Sequence, residues 1–255
     1  MLSKGLLEER LKSCKIFNSK FNSAKIIIPK KLENIFLINF IFWRFYEGLN
    51  QALFSGEQNL FFKDVNSYPD LTDYRRGRYI EVKCAGHSRR IMLKDSQINN
   101  YRLLQMSNEP IKNPRIYFTI YRYGFKGILK KFKNKKPKEI VESLAENTKF
   151  MVGIPFSVIS HAHSYGEKYE VPLLSRKFGV HGIPSTHLST VLIDDFFEKP
   201  EKALEYLELN PTEFKIRYYK TSDGIKVNGF EVKPFSIVLI KSSDEFEKRF
   251  VDGLK

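Results

Sequence analysis

The chain has 255 residues, of which 42% are hydrophobic and 28% are charged, and these proportions exclude a globally disordered protein. Its 43 Lys and Arg exceed its 29 Asp and Glu, and the formal charge of +14 favours a polyanionic partner such as nucleic acid; a generally basic surface that aids solubility is the alternative. Cys14 and Cys84 are too few for a disulfide framework or a four-cysteine zinc or iron–sulfur site.

The sequence has no pattern typical of secretion or of membrane insertion. Residues 2–11 are interrupted by four charged side chains, which is unlike a secretory signal. The most apolar run, residues 35–43, contains Asn39 and is too short to span a bilayer. We therefore expect a cytoplasmic protein that does not associate with membranes, and a nucleoid-associated one if its source is prokaryotic.

Residues 1–30 are interpreted as a basic N-terminal arm, and the pattern of a long helix begins after them. Apolar residues at spacings of three, four and seven predict this helix over residues 31–54. One carboxylate lies on the predicted apolar stripe, and burying it requires a cation, a metal or good hydrogen-bond donors. The alternative is a glutamate at the rim, paired with a nearby lysine. The stripe consists of Phe36, Phe40, Trp43, Glu47 and Phe54.

A strand is predicted over residues 59–66, followed by a turn and then by two acidic positions. Residues 79–84 have strand character, so Glu81 and Lys83 share one face. Ten residues separate Asp70 from Glu81, so a hairpin could return Asp70 to a position beside Glu81. Two carboxylates and an amine that converge at the end of a strand would form a divalent-metal site with a cation beside it.

Basic residues surround these positions in the sequence. They are interpreted as clamps for backbone phosphates, with a solvated turn as the alternative. Next, Asp95 or Ser96 is predicted to cap a helix that extends to about residue 107, and the alternation over residues 115–123 predicts a strand. The clamp residues are Arg75, Arg76, Arg78, Arg89 and Arg90.

The second half of the chain carries weaker signals. A lysine-rich segment, residues 126–138, is predicted to be a linker or an exposed flap, either contacting phosphates or solvated. Residues 139–255 are predicted to form a C-terminal α/β extension that can pack as one domain with residues 31–125. Helices are predicted over 139–148 and 195–207, and strands over 150–160, 214–219, 225–232 and 236–241.

Pro69-Asp70, ten further residues and Glu81-Val82-Lys83 together resemble the signature of the PD-(D/E)xK nuclease superfamily, which includes restriction endonucleases, junction resolvases and RecB-type nucleases. The predicted order helix, three strands, helix, strand is similar to the core of that family. Gln97 and Tyr101 resemble the Gln-x-x-x-Tyr element of the RecB-type branch. The resemblance covers residues 31–123, and the cysteine ligands of the iron–sulfur members are absent.

The resemblance implies a mixed α/β fold, in which helices flank a central mixed sheet, with a restriction-endonuclease-like core and a C-terminal β-rich extension. It implies Mg²⁺-dependent hydrolysis of DNA, with Mn²⁺ as a substitute, by a restriction-type endonuclease or a DNA-repair nuclease, and a homodimer is compatible with the first. The implied metal ligands are Asp70, Glu81, Glu47 and the main-chain carbonyl of Val82. Lys83 and Gln97 complete the implied catalytic set, and Tyr101, Lys130 and Lys131 join the arginines as nucleic-acid contacts.

Other interpretations remain open from the sequence. A nucleic-acid-binding protein could retain a nuclease core without activity. Asp73 competes with Asp70 as the ligand on the turn. His161 and His163 on one face of a strand, with His181 and His187 downstream, have a spacing compatible with zinc, although surface or core histidines are the simpler interpretation.

Overall fold

A computed structural model describes residues 30–54, 57–58, 69–85, 90–108, 110–124, 127–165, 167–171, 186–192, 200–206, 208–210, 212–221 and 223–242. Several predictions from the sequence lie outside these residues. They are the N-terminal arm before Lys30, the strand over residues 59–66, Arg89 and His181.

The first helix, α1 (Lys30–Phe54), agrees with the helix predicted over residues 31–54. Its predicted apolar stripe is wrong at Trp43, which is 52% exposed, and the side chains of Phe36 and Phe40 lie outside the described set. The residues that pack into the core recur at spacings of three and four along a neighbouring face. Apolar residues lie on several sides of α1, so hydrophobic periodicity alone could not select between the two faces. The core-facing residues include Phe42, Phe45, Tyr46, Leu49 and Leu53.

A central seven-stranded sheet has the order β1–β2–β3–β5–β6–β12–β9. The pairs β3–β5 and β6–β12 are parallel and the other neighbours are antiparallel, so the sheet is mixed as predicted. Strands from the first and second halves of the chain thus lie in one sheet. The strands are β1 (Glu57–Gln58), β2 (Leu71–Asp73), β3 (Arg78–Ala85), β5 (Arg115–Tyr123), β6 (Thr148–Pro155), β9 (Phe214–Lys220) and β12 (Ser236–Ser242).

Helices cover both faces of the sheet, and two smaller sheets complete the described fold. One small sheet has the order β4–β8–β7, and the other is the hairpin β10–β11. Their strands are β4 (Arg90–Lys94), β7 (Glu167–Val171), β8 (Thr186–Leu192), β10 (Ile225–Val227) and β11 (Phe230–Val232). The helices after α1 are α2 (Asp95–Gln105), α3 (Ile128–Phe132), α4 (Pro137–Asn147), α5 (Phe156–Tyr165) and α6 (Pro200–Tyr206). None of the helices in the described part of the chain is long and apolar enough to cross a bilayer.

The sheet separates two hydrophobic cores. One core joins α1 and α4 to the face of β3 that carries Ile80. The other joins α2 and α5 to the opposite face, where Phe118 of β5 packs between Tyr101 and Phe156. Strand β3 therefore has a helix layer on each side, and its alternate residues face different helices.

Three local predictions are wrong. Residues 225–232 are not one strand, because β10 and β11 pair with each other as an antiparallel hairpin. Residues 150–160 are not one strand, because β6 ends at Pro155 and α5 begins at Phe156. Apart from Ser157 and Ser160 the run has no polar side chain, so its pattern does not mark the change from strand to helix. The predicted N-cap of α2, Asp95 or Ser96, is also wrong. The N-cap residue is Lys94, and its side chain makes no capping hydrogen bond.

The predicted basic linker contains a short packed helix. Phe132 at the end of α3 is 2% exposed and its ring lies 5.7 Å from that of Phe42 on α1. Lys130 and Lys131 of the same helix are exposed. The lysines therefore lie on a helix that an aromatic side chain anchors to the core.

The turn between β2 and β3 is held by a buried ion pair. Arg78 Nε donates to Asp73 Oδ2 over 2.9 Å, and the two side chains are 0% and 2% exposed. The guanidinium of Arg78 also lies 5.6 Å from the centre of the Phe54 ring. Gly77, which precedes β3, has a φ of 62°, a left-handed conformation that glycine adopts without strain.

We expect Asp73→Ala to lower the free energy of unfolding by about 3–5 kcal/mol, because it leaves the Arg78 guanidinium buried without its counter-charge. Urea denaturation followed by circular dichroism measures the change. Combining Asp73→Leu with Arg78→Met should recover much of the loss, because apolar side chains then replace both charges.

The matched control is Glu142→Ala, which removes an exposed pair with Lys138 whose atoms are 3.7 Å apart. This substitution should leave the denaturation midpoint nearly unchanged. Equal losses in the two variants would contradict a structural role for the Asp73–Arg78 pair.

Candidate active site

Strand β3 presents Glu81 and Lys83 on the face that meets α2, as the alternation predicts. Ile80 and Val82 point to the opposite face and pack in the core that contains α1. Both polar side chains are largely enclosed, since Glu81 is 4% and Lys83 19% exposed. The two groups are thus placed together in a poorly hydrated position.

The β2–β3 hairpin brings Asp70 to Glu81. The antiparallel register pairs Leu71 with Ile80, and continuing it by one residue sets Asp70 opposite Glu81. The main-chain N–H of Val82 donates to Asp70 Oδ2 over 2.7 Å, which holds the carboxyl group at this position. The hairpin that the sequence predicts is therefore present.

The carboxylate of Glu81 accepts hydrogen bonds at both oxygens. Oε1 accepts from Lys83 Nζ at 2.5 Å and from Gln97 Nε2 at 2.6 Å, while Oε2 accepts from the Tyr101 hydroxyl at 2.5 Å. Lys83 Nζ also donates to Gln97 Oε1 over 3.1 Å. Donors from β3 and α2 therefore fix the orientation of this one carboxylate.

Glu47 approaches the site from α1, on the other side of the sheet. Its carboxylate accepts from Arg44 Nη1 over 2.6 Å and is 14% exposed. The carboxylate also lies close enough to Asp70 to raise the pKa of that residue. Glu47 is thus paired with an arginine, one turn earlier, and contributes negative potential to the site.

The charges at the site shift the pKa values of its titratable groups. Burial raises the pKa of Asp70 well above its usual range, and the carboxylates of Glu81 and Glu47 raise it further, against the opposing effects of Lys83 and the Val82 N–H. Burial alone would lower the pKa of Lys83, but Glu81 and Asp70 raise it above its ordinary value. Lys83 is therefore a cation at neutral pH.

The donor set is compatible with a hard divalent cation at Asp70 and Glu81. Carboxylate oxygens are the ligands that Mg²⁺ prefers, and a cation would relieve the repulsion that raises the pKa of Asp70. The prediction that Glu47 is a third ligand stays a prediction. Among the described residues no three His, Cys, Asp or Glu side chains are grouped to hold a metal, and Glu47 is paired with Arg44.

The structure separates the predicted phosphate clamps. The prediction that Arg78 clamps a phosphate is wrong, because its buried side chain forms an ion pair with Asp73. The same ion pair accounts for Asp73, which competed with Asp70 as the candidate metal ligand. Arg76 donates to the same carboxylate from 3.2 Å with 24% of its side chain exposed, whereas Arg75 is exposed. Arg90 begins β4, but its side chain is outside the described set, as is all of Arg89.

Tyr101 was predicted to contact nucleic acid, and this prediction is wrong. The side chain is 0% exposed and its ring packs against Phe118 and Phe156. Burial and the charges of Glu81 and Asp70 raise the pKa of its phenol, so the hydroxyl stays protonated and donates to Glu81. Tyr101 is a positioning residue for that carboxylate.

The alternative of two histidines on one face of a strand is wrong, because both residues lie on helix α5. Side chains two positions apart on a helix point to different sides, so His161 and His163 do not share a face. His163 Nε2 instead lies 2.7 Å from Oδ1 of Asp95, the first residue of α2. His187 belongs to β8, and its side chain is outside the described set.

Sequence reasoning missed the contacts that hold α2 in place. Besides the His163–Asp95 pair, Arg102 donates to the hydroxyl of Ser160 on α5 over 2.9 Å. The partners are 68 and 58 residues apart, so no local pattern could reveal them. Helix α5 thereby positions the helix that carries Gln97 and Tyr101.

No family model, curated protein or solved structure matches this chain.

We expect Asp70→Asn to stabilise the protein at pH 8, because it removes a buried charge. When folding raises the pKa of a carboxyl group, the folded state loses stability as the pH rises from the usual pKa near 4 toward the pKa in the folded state. The advantage of the variant should therefore shrink toward pH 4. Urea denaturation at several pH values measures it, and a pH-independent difference would contradict the raised pKa.

We expect Tyr101→Phe to lower the free energy of unfolding by about 1.5–3 kcal/mol, the range for a hydrogen bond to a charged group. The matched control is Tyr218→Phe, which removes a 3.0 Å hydrogen bond from a mostly exposed tyrosine to Glu201. The control should show no measurable change. Similar effects in both variants would argue against the positioning role of Tyr101.

Proposed function

We propose that this protein is a metal-dependent deoxyribonuclease of the PD-(D/E)xK type. The observation that carries the proposal is the grouping of Asp70, Glu81, Lys83 and Gln97 around strand β3. These are four of the residues that the sequence signature implies for catalysis, and they come from β2, β3 and α2. Glu81 and Lys83 share a face on any strand, so the added support comes from Asp70 and Gln97, which other segments bring to β3.

The order of elements supports the same proposal. Helix α1 is followed by β1, β2 and β3, then by α2 and by β5, which pairs in parallel with β3. This order is similar to the helix, three strands, helix, strand that the resemblance implies; β1 has two residues, and the predicted strand over residues 59–66 lies outside the described residues. The small sheet strand β4 is an addition between β3 and α2.

Asp70 and Glu81 would hold Mg²⁺, or Mn²⁺ in its place, with the main-chain carbonyl of Val82 as a further ligand. The bound ion would lower the pKa of a coordinated water and neutralise charge on the scissile phosphate. Gln97 and Tyr101 hold the carboxylate of Glu81 in one orientation, so it does not have to reorient during the reaction. Glu47 acts from the other face through its charge.

Lys83 is assigned an electrostatic role. Its raised pKa keeps the ammonium charged at neutral pH, where it can bind a phosphate oxygen. A water oxygen forms the new bond to phosphorus, the bond to the leaving oxygen breaks, and no covalent enzyme intermediate is needed. The surplus of basic residues over acidic ones suits a polyanionic substrate.

The decisive experiment incubates the protein with circular, linear, single-stranded and branched DNA, with Mg²⁺ and with a chelator. We expect Mg²⁺-dependent cleavage that falls by about 10²-fold or more in Lys83→Met, which removes the charge beside the scissile phosphate. Discrete fragments from circular DNA indicate a restriction-type endonuclease, and ladders from the ends indicate an exonuclease.

Lys149→Met is the control, since it removes an exposed lysine of β6 and should leave cleavage unchanged. Thermal unfolding gives a readout that does not depend on turnover, because Mg²⁺ should raise the melting temperature of the wild type more than that of Asp70→Asn. If the wild type and Lys83→Met are equally inert while both bind DNA, the protein is a nucleic-acid-binding module without nuclease activity.

A further inference from the structure

Arg122 lies on the same face of the central sheet as Glu81 and Lys83, one strand away from them. Strands β3 and β5 pair in parallel, with Lys83 opposite Ile120 and Ala85 opposite Arg122. Paired residues of adjacent strands, and residues two positions from them, share one face of a sheet. Ala85 and Ile120 pack in the core that contains α2, so Arg122 is a cation on the α2 side of β5, next to the strand of the candidate active site.

The register also gives the distance between Arg122 and Lys83. Neighbouring strands lie about 4.8 Å apart and each residue advances a strand by about 3.3 Å, so the two Cα atoms are about 8 Å apart. Both side chains are long and end in a charged group with several donors. An ammonium and a guanidinium at this spacing can bind two successive phosphates of one nucleic acid strand.

This face of the sheet opens toward the carboxyl ends of β3 and β5. On β5, Ile116 and Phe118 of the same row are 2% and 0% exposed, whereas Arg122 is partly exposed. On β3, the exposed fraction of the side chain rises from 4% at Glu81 to 19% at Lys83. Ligands of open α/β sheets bind outside the carboxyl ends of parallel strands, which is the end at which Arg122 lies.

The pairing of β5 with β6 is irregular at the same position. The antiparallel register shifts directly after Arg122, between this residue and Tyr123. Irregularities of this kind are frequent beside active sites, where they redirect a side chain or end the pairing of two strands. The sheet therefore ends its regular pairing where Arg122 is presented.

The arginines that the sequence suggested as phosphate clamps lie at the other end of β3. The turn with Arg75 and Arg76 precedes Arg78, the first residue of β3, which is about 16 Å along the strand from Lys83. Arg76 and Arg78 also form ion pairs within that turn. Arg122 thus lies nearer to Lys83 than these three arginines do.

We propose that Arg122 binds the backbone phosphate next to the one that Lys83 contacts, and so directs the DNA strand across the carboxyl ends of β3 and β5. A guanidinium presents parallel N–H groups to two phosphate oxygens, which orients the strand as well as attracting it. Such a contact carries no sequence information, so Arg122 contributes to affinity for any base sequence. This inference rests on the proposed nuclease function and adds a substrate-binding residue to it.

The first measurement is the salt dependence of DNA binding, with a chelator present to prevent cleavage. The anisotropy of a dye on a duplex gives the dissociation constant at several salt concentrations. Arg122→Gln should weaken binding about ten-fold and lower the slope of log K against log salt by about 1, because one phosphate contact is lost. Arg122→Lys keeps the charge, so it should keep the slope and recover part of the affinity.

The second measurement tests the position of the contact. In a DNA that the wild type cleaves at a mapped bond, each phosphate near that bond is replaced in turn by an uncharged methylphosphonate. Neutralising one phosphate adjacent to the cleaved one should raise the KM of the wild type about ten-fold with kcat nearly unchanged, and should have no further effect in Arg122→Gln. A substitution that only disturbs the fold would not remove this effect.

Arg115→Gln is the matched control. Arg115 is also a partly exposed arginine of β5, but it lies at the other end of the strand and, seven positions away from Arg122, on the opposite face. Its substitution should leave the salt slope, KM and kcat unchanged. Circular dichroism verifies that each variant is folded.

The outcomes separate this inference from the nuclease proposal. If the wild type cleaves DNA and Arg122→Gln keeps its slope and KM, the phosphate contact is wrong and the nuclease remains. If neutralising the adjacent phosphate affects the wild type and Arg122→Gln equally, the inference is also overturned. If the wild type binds DNA without cleaving it and Arg122→Gln lowers the slope, the nuclease proposal fails and the phosphate contact survives. If the wild type binds no DNA, both fail.

Discussion

The carboxylate of Glu81 is the interaction on which the site depends. It is nearly inaccessible to water, and a buried carboxylate is tolerated only when donors replace its hydration. Lys83 can supply one donor from the same strand, but Gln97 and Tyr101 must come from α2. Docking of α2 on the sheet is therefore a condition for a stable Glu81, and α5 contributes to it through His163.

A second buried pair determines what faces Glu81. Asp73 and Arg78 close the β2–β3 hairpin and thereby hold the register that sets Asp70 opposite Glu81. A slip of one residue would turn every side chain of a strand to the other face, and would move Asp70 away from the site. The arginine that the sequence suggested as a phosphate clamp thus serves the site by fixing its geometry.

The charges at the site are unbalanced in a way that suits a functional role. The charges of Glu81 and Glu47 act on Asp70, and Lys83 and Arg44 are cations paired with these two glutamates. The raised pKa of Asp70 records a cost to the folded state, and such costs are typical of functional sites, where a ligand can repay them. A divalent cation at Asp70 and a phosphate at Lys83 would complete this balance.

The sequence by itself determined the elements that carry the site. The alternation in β3 separated Glu81 and Lys83 from Ile80 and Val82, because a strand has a strict period of two. The periods of α1 and α2 and the turn before β3 were also readable, since each depends on neighbours in the chain. The sequence also placed Trp43 and Glu47 on one stripe of α1, but it did not predict how deeply each side chain is buried.

Only the tertiary structure decided which of these side chains are buried and which partners they have. Arg78 and Tyr101 looked like exposed contacts and are enclosed, Trp43 looked like core and is exposed, and His163 meets Asp95 rather than His161. Each of these outcomes depends on a residue or layer far away in the chain. Local periodicity reports the side of an element on which a residue lies, whereas burial and charge pairing depend on what the rest of the chain places against that side.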